Sequence, residues 1–178
     1  MKQRNTVLFI AMSLDGYIAD ANGRVDWLEG QNSEEGDGNS YDNFIREIDT
    51  VVMGWNTYRQ IATELSPQQW VYEGLTSYVL THRKIEKMDG IIFTDESPCG
   101  LVRRLRRKPG KDIWICGGAS TAGQLMKEGM IDRYHISIIP TLLGSGIRLF
   151  DSLKGQTKLK LVRSQVYNGI AELVYERR

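Results

Sequence analysis

Cysteine and histidine are scarce in this chain. Its 178 residues include two of each: Cys99, Cys116, His82 and His135. Two thiols cannot build a disulfide framework, and a reducing cytoplasm is the simpler expectation. Neither histidine has a Cys or carboxylate at ligand spacing. That argues against a zinc deaminase or metalloprotease, and no metal is expected. An excess of charge is missing too, with 23 Lys and Arg against 22 Asp and Glu. Nothing global therefore favours nucleic acid or an anionic membrane as a partner. No apolar run reaches transmembrane length, and residues 1–5 lead into a strand-like segment without a secretory apolar region or cleavage site. Repeats, linkers and low-complexity stretches are absent, so one domain over residues 1–178 is expected.

What the chain does have is glycine, 18 in all. The apolar run Ile113-Trp114-Ile115-Cys116 enters Gly117-Gly118 and then a helix-forming segment that ends on Gly129. This reads as a strand, a tight turn and the exposed N-terminus of a helix. Unpaired N–H groups and the positive end of the helix dipole suit a phosphate there. Adjacent glycines also admit a ligand to main-chain contact. A plain tight turn explains a lone glycine pair as well, so other segments must decide.

Val7-Leu8-Phe9-Ile10-Ala11 reads as a buried strand, and residues 13–31 as a loop with short ordered pieces. Ser40 is the expected N-cap of a helix reaching Ile48, with Tyr41, Phe44, Ile45 and Ile48 on one stripe. Residues 50–53 form a strand closed by Gly54. Residues 57–65 form a helix with Tyr58, Ile61 and Leu65 inward. Short strands follow at 77–80 and 90–93. Ser97-Pro98 starts a helix with a hydroxyl cap, then proline where no N–H is needed. The strand at 134–139 stops at Pro140, and Asn168-Gly169 joins the last two strands as a hairpin. Alternating strands and helices give a three-layer α/β/α domain with a mostly parallel sheet, mixed because the terminal hairpin is antiparallel. Ligands of such sheets sit beyond the carboxyl ends of the strands. That selects the loops after Ala11, Met53, Leu80, Cys116 and Ile139.

Three of those loops carry small or hydroxyl residues: Ser13-Leu14-Asp15-Gly16-Tyr17-Ile18-Ala19, Gly54-Trp55-Asn56-Thr57-Tyr58 and Gly117-Gly118-Ala119-Ser120. With Ile139-Pro140-Thr141-Leu142-Leu143-Gly144-Ser145-Gly146, Leu149-Phe150 and the hairpin, the set resembles the dihydrofolate reductase-like superfamily. It is most similar to the branch holding the reductase domain of the riboflavin-biosynthesis deaminase-reductase. The resemblance implies a dihydrofolate reductase-like fold and an NADPH-dependent reductase, with NADH as the other possible cofactor. Its substrate would be a small heterocycle, a pterin or deaminated pyrimidine, reduced at an electron-poor C=N or C=O carbon.

The resemblance further implies that Gly54 and Thr57 meet the pyrophosphate from one helix terminus. Gly117, Gly118, Ala119, Ser120 and Thr121 would meet it from the other, with the Gly117–Gly118 bond cis. Thr81, His82 and Arg83 would lie near the adenosine and its 2′-phosphate; Ala11, Gly16 and Ile18 would border the nicotinamide. A homodimer through the C-terminal strands is implied as well. Two departures stand out. Many relatives have arginine where this chain has Trp55, and a neutral indole cannot replace a guanidinium on phosphate. Arg83, His82 or Arg59 is left to supply that charge. The buried substrate carboxylate of dihydrofolate reductases has no clean counterpart, which leaves Asp15 and Asp42 as candidate catalytic acids. A dinucleotide-binding protein without dihydrofolate turnover is the rival reading.

Each candidate also has an ordinary structural role open to it. Asp15 either contacts substrate or caps the turn into Gly16. Asp42 either serves the substrate or is a first-turn acid favoured by the helix dipole. Trp27 and Phe44 either line the substrate cleft or pack the core, and Tyr58 shares that choice. The arginine-rich residues 103–108 read as a solvated helix face rather than a nucleic-acid site. Glu34, Glu35 and Asp37 belong either to a lid or to an ordinary insertion.

Overall fold

Strands that are apolar on both sides bury both of their faces, and the central strands here do so. Val7, Leu8, Val51, Val52, Met53, Ile113, Trp114 and Ile115 are all at most 5% exposed. In this computed structural model every residue is described except 1, 2, 33, 34, 37, 87, 152 and 154. Glu34 and Asp37, and the lid reading with them, therefore lie outside the described residues. The strands are β1 (Thr6–Ser13), β2 (Tyr17–Ala19), β3 (Ile48–Gly54), β4 (Thr76–Leu80), β5 (Ile91–Thr94), β6 (Asp112–Gly117), β7 (Arg133–Ile139), β8 (Ile147–Arg148), β9 (Leu159–Tyr167) and β10 (Ile170–Arg177).

The main sheet runs β5-β4-β3-β6-β1-β7-β10-β9. It is parallel from β5 to β7 and antiparallel at β10 and β9. Asn168 and Gly169 turn the last hairpin with φ of 50° and 70°, the left-handed pair that a tight two-residue turn requires. Helices α1 (Ser40–Ile45) and α2 (Trp55–Gln60) cover one face, and α3 (Pro98–Arg106) and α4 (Ala119–Lys127) the other. On the first face Val7, Val51, Met53 and Trp114 meet Phe44, Tyr58 and Ile61. On the second, Leu8, Val52, Ile113 and Ile115 meet Leu101, Leu105 and Leu125. The result is the three-layer, mostly parallel mixed sheet that the alternation of elements predicts.

Several local expectations are corrected. Asn39, at φ 61°, holds the N-cap position of α1, and Ser40 is its first helical residue. Its hydroxyl is drawn inward to donate to Glu172 of β10. The helix ends at Ile45, because Ile48 pairs with Asp112 as the start of β3. Helix α2 begins at Trp55 rather than Thr57, directly after Gly54. It continues as a π-helical turn, Ile61–Leu65, whose wider winding carries Leu65 off the inward stripe and leaves it 59% exposed. The small sheet of β2 and β8 was not legible, since three and two residues are too few for a periodicity. The Ser97 cap holds, its hydroxyl accepting from Gly100 N at 3.1 Å.

Glu172 fastens α1 to the antiparallel side of the sheet. It is 1% exposed. His135 Nε2 lies 3.0 Å from its carboxylate, Gln165 donates at 2.7 Å and the Tyr167 hydroxyl at 3.2 Å, with Ser40 as a further donor. Burial works to raise the Glu172 pKa, but the hydrogen bonds from His135 and Ser40 prevail and hold it below the ordinary value.

Candidate active site

Two neighbouring parallel strands run straight into helices at the same end of the sheet. β3 closes on Gly54 and α2 starts at the next residue; β6 closes on Gly117, and Gly118 leads into α4. Neither helix has a side-chain cap at its N-cap glycine. The first-turn N–H groups of a helix have no partner within it, so both termini offer donors to the space between them. The Gly117–Gly118 peptide is cis.

Glycine is needed here for room. A Cβ on Gly54 would lie 3.2 Å from Thr121 Oγ1, and one on Gly118 would lie 3.4 Å from Thr57 Oγ1. Gly117 has φ 140°, which L side chains rarely adopt, and its Cβ would sit 3.5 Å from the same Thr57 oxygen.

The two termini form the floor of a cleft of about 1220 Å³. Ile10, Ala11 and Ile18 line it with apolar side chains, and Thr81, His82, Tyr72 and Cys116 also face the cleft. Of the residues that the sequence singled out, Ala11, Ile18, Gly54, Trp55, Thr57, Thr81, His82 and Gly117 through Thr121 come together here. Arg83 stands beside them, its guanidinium 5.1 Å from the centre of the Trp55 ring. Gly16 instead turns the chain after β1, at φ 88°, and its carbonyl accepts from Leu149.

The candidate substrate residues are placed elsewhere. Phe44 is 7% exposed and packs on Phe9 at 4.2 Å and Trp114 at 5.4 Å, so it fills core. Asp42 is exposed in the first turn of α1. Trp27 donates its Nε1 to Arg24 O at 3.1 Å and is not among the lining residues. Asp15 clamps two loops together. It accepts from Ser13 Oγ at 2.6 Å, Gly144 N at 2.7 Å and Leu143 N at 3.1 Å. The Ser13 hydroxyl, followed by those two backbone N–H groups, depresses its pKa to about 2. A lowered pKa means that the clamp contributes above the ordinary value of 3.8 and is lost as pH falls toward about 2. In melting curves, Asp15→Asn is expected to sit below the wild type by a constant gap in the neutral range. That gap should close over the acid interval; a gap unchanged at pH of about 2 would contradict it.

Sequence reasoning missed Tyr72 as a cleft residue. The signal was Trp70 and Tyr72, two large aromatics in an otherwise polar connection. In the arginine-rich helix, Arg104 pairs with Glu96 at 2.6 Å, and Arg106 pairs with Asp132. Among the described residues no helix is long and apolar enough to cross a membrane, and no group of three or more His, Cys, Asp or Glu is placed to hold a metal ion.

The model of the RibD C-terminal domain matches residues 4–170. This chain belongs to the RibD C-terminal domain family. Its relatives include YwjB of Bacillus subtilis (strain 168), uncharacterised, 40% identical over 98% of this chain and 99% of its own. YyaP of the same organism, also uncharacterised, is 31% identical over 98% and 96%. Among solved structures, a protein assigned by name to riboflavin biosynthesis, from Shewanella sp. PV-4, superposes with TM-score 0.83 at 29% identity, covering 98% of this chain and 99% of that one. The Thermotoga maritima diaminohydroxyphosphoribosylaminopyrimidine deaminase/5-amino-6-(5-phosphoribosylamino)uracil reductase shares the fold, with TM-score 0.70 at 15% identity. The match covers 99% of this chain but only 57% of that longer one. Family membership and the shared fold place this cleft in a domain of the RibD C-terminal kind.

Proposed function

We propose that this protein is a cytoplasmic NADPH-dependent reductase acting on a small heterocycle, a pterin or a deaminated pyrimidine of the riboflavin-precursor kind. The observation that carries the reading is the facing pair of uncapped helix N-termini, kept free of side chains by Gly54, Gly117 and Gly118. Such a floor fits a pyrophosphate, which needs several N–H donors at close range and the positive ends of helix dipoles. Thr57 and Thr121 add hydroxyls on either side of it.

Arg83, stacked on Trp55, supplies the cation that the indole lacks, beside Thr81 and His82 where a 2′-phosphate would be read. Ile10, Ala11 and Ile18 add apolar surface that excludes water from the cleft. The cofactor, when bound, supplies the hydride. With Asp15 engaged by three donors and Asp42 exposed, neither serves as the substrate acid in the manner of dihydrofolate reductases, so dihydrofolate is disfavoured as substrate. The free thiols Cys99 and Cys116 suit a reducing compartment. Homodimerisation through β9, where Leu161, Val162 and Val166 are exposed, belongs to the same reading.

Titration with NADPH and with NADH, followed by quenching of the four tryptophans, tests the cofactor assignment. Saturable binding is expected, at least about tenfold tighter for NADPH, a difference of roughly 1.4 kcal/mol. Failure of both to bind at millimolar concentration would sink the reading.

A further inference from the structure

The connection between the π-helical turn and β4 places Tyr72 against the cleft with unusual firmness. Its ring is wedged edge-on between two tryptophans, 4.9 Å from Trp114 at 76° and 5.4 Å from Trp70 at 89°. Each tryptophan is itself pinned, Trp70 Nε1 donating to Ser77 Oγ at 3.0 Å and Trp114 Nε1 to Phe9 O at 2.9 Å. The Tyr72 hydroxyl lies 3.4 Å from Cys116 Sγ, and both residues line the cleft. Cys116 immediately precedes Gly117, so this pair borders the proposed cofactor cradle.

Burial raises both groups, the Tyr72 hydroxyl strongly and the Cys116 thiol to about 11, so both keep their protons at neutral pH. A protonated thiol can donate to the tyrosine oxygen, which leaves the tyrosine O–H free for a ligand. A polar group whose direction is fixed by packing against apolar rings is the kind that orients a ligand and sets specificity.

We propose that the Tyr72 hydroxyl, backed by the Cys116 thiol, is the hydrogen-bond donor that receives a carbonyl oxygen or ring nitrogen of the heterocycle. It thereby selects oxidised rings that present an acceptor on their edge. This rests on the reductase reading and adds a specificity-determining residue to it.

The test uses lumazine, a pteridine-dione that presents such acceptors, together with NADPH, on the wild type and Tyr72→Phe. The variant is expected to bind lumazine about tenfold more weakly, the worth of one hydrogen bond, with NADPH affinity and melting temperature unchanged. In the wild type, lumazine should also quench the emission of Trp70 and Trp114, which flank the Tyr72 ring, a readout that needs no variant. Equal lumazine affinity in Tyr72→Phe overturns the assignment, as does tryptophan emission indifferent to lumazine. Wild type that binds NADPH but not lumazine overturns the assignment and leaves the reductase standing. Wild type that binds neither removes both.

Discussion

Gly117→Val is expected to lose NADPH binding by at least about a hundredfold, roughly 2.7 kcal/mol, while the protein still folds. The position has φ 140°, and its Cβ would point to within 3.5 Å of Thr57 Oγ1 and 3.8 Å of Ile10 Cδ1. The Cβ alone is in ordinary contact range, but the two methyls of valine must enter the space between the helix termini. A β-branched residue at that φ also strains the backbone by about 1–3 kcal/mol, so melting must be measured alongside binding. Gly118→Ala separates the two effects. Its φ of −85° suits alanine, and its Cβ would meet only Thr57 Oγ1, at 3.4 Å. It should melt like the wild type and still bind NADPH about tenfold more weakly, because one methyl narrows the floor. Full NADPH affinity in both variants would refute the placing of the pyrophosphate on this floor.

The largest expected loss of stability comes from Glu172→Ala. The carboxylate is the common acceptor for His135, Ser40, Gln165 and Tyr167, and its removal leaves buried donors facing a void. Breaking such a network by deleting one partner costs about 3–5 kcal/mol. For a chain of this size that lowers the melting temperature by roughly 6–20 °C. Glu172→Gln keeps the volume and one acceptor, and should fall between the two. The sign of the pH effect follows from the lowered pKa. The contribution is present above the ordinary glutamate value of 4.5 and is lost as pH falls below it. The wild type should therefore lose part of its advantage over Glu172→Ala in acid. Denaturant melts across the acid range decide this, and a variant as stable as wild type at neutral pH would contradict the assigned role.

What was legible in the sequence was whatever is written locally. The Gly117-Gly118 turn, the Ser97-Pro98 start of α3 and the Asn168-Gly169 hairpin each depend on backbone chemistry within a few residues. The cleft floor followed, because two strand-to-helix junctions on neighbouring parallel strands must open on the same side. The hidden features are those fixed by partners far along the chain. Asp15 was ambiguous because its acceptors' partners, Leu143 and Gly144, stand 128 and 129 residues away. Ser40 looked like a cap because its partner Glu172 is 132 residues distant. Phe44 and Tyr72 are both aromatics that pack on Trp114. Only the packing of Phe9 and Trp114 decides that the first is core and the second reaches the opening.

The position of β1 in the sheet has a consequence for how the chain is made. β1 pairs only with β6 and β7, which begin at Asp112 and Arg133. On a ribosome adding roughly 5–20 residues per second, about a hundred residues and some 5–20 s separate its emergence from that of its first neighbour. Through that interval Val7, Leu8, Phe9 and Ile10 form an unpaired apolar strand, the kind that pairs with strangers. The nascent chain is thus most exposed to misassembly early, and release from that hazard arrives only with β6, the strand that ends on Gly117.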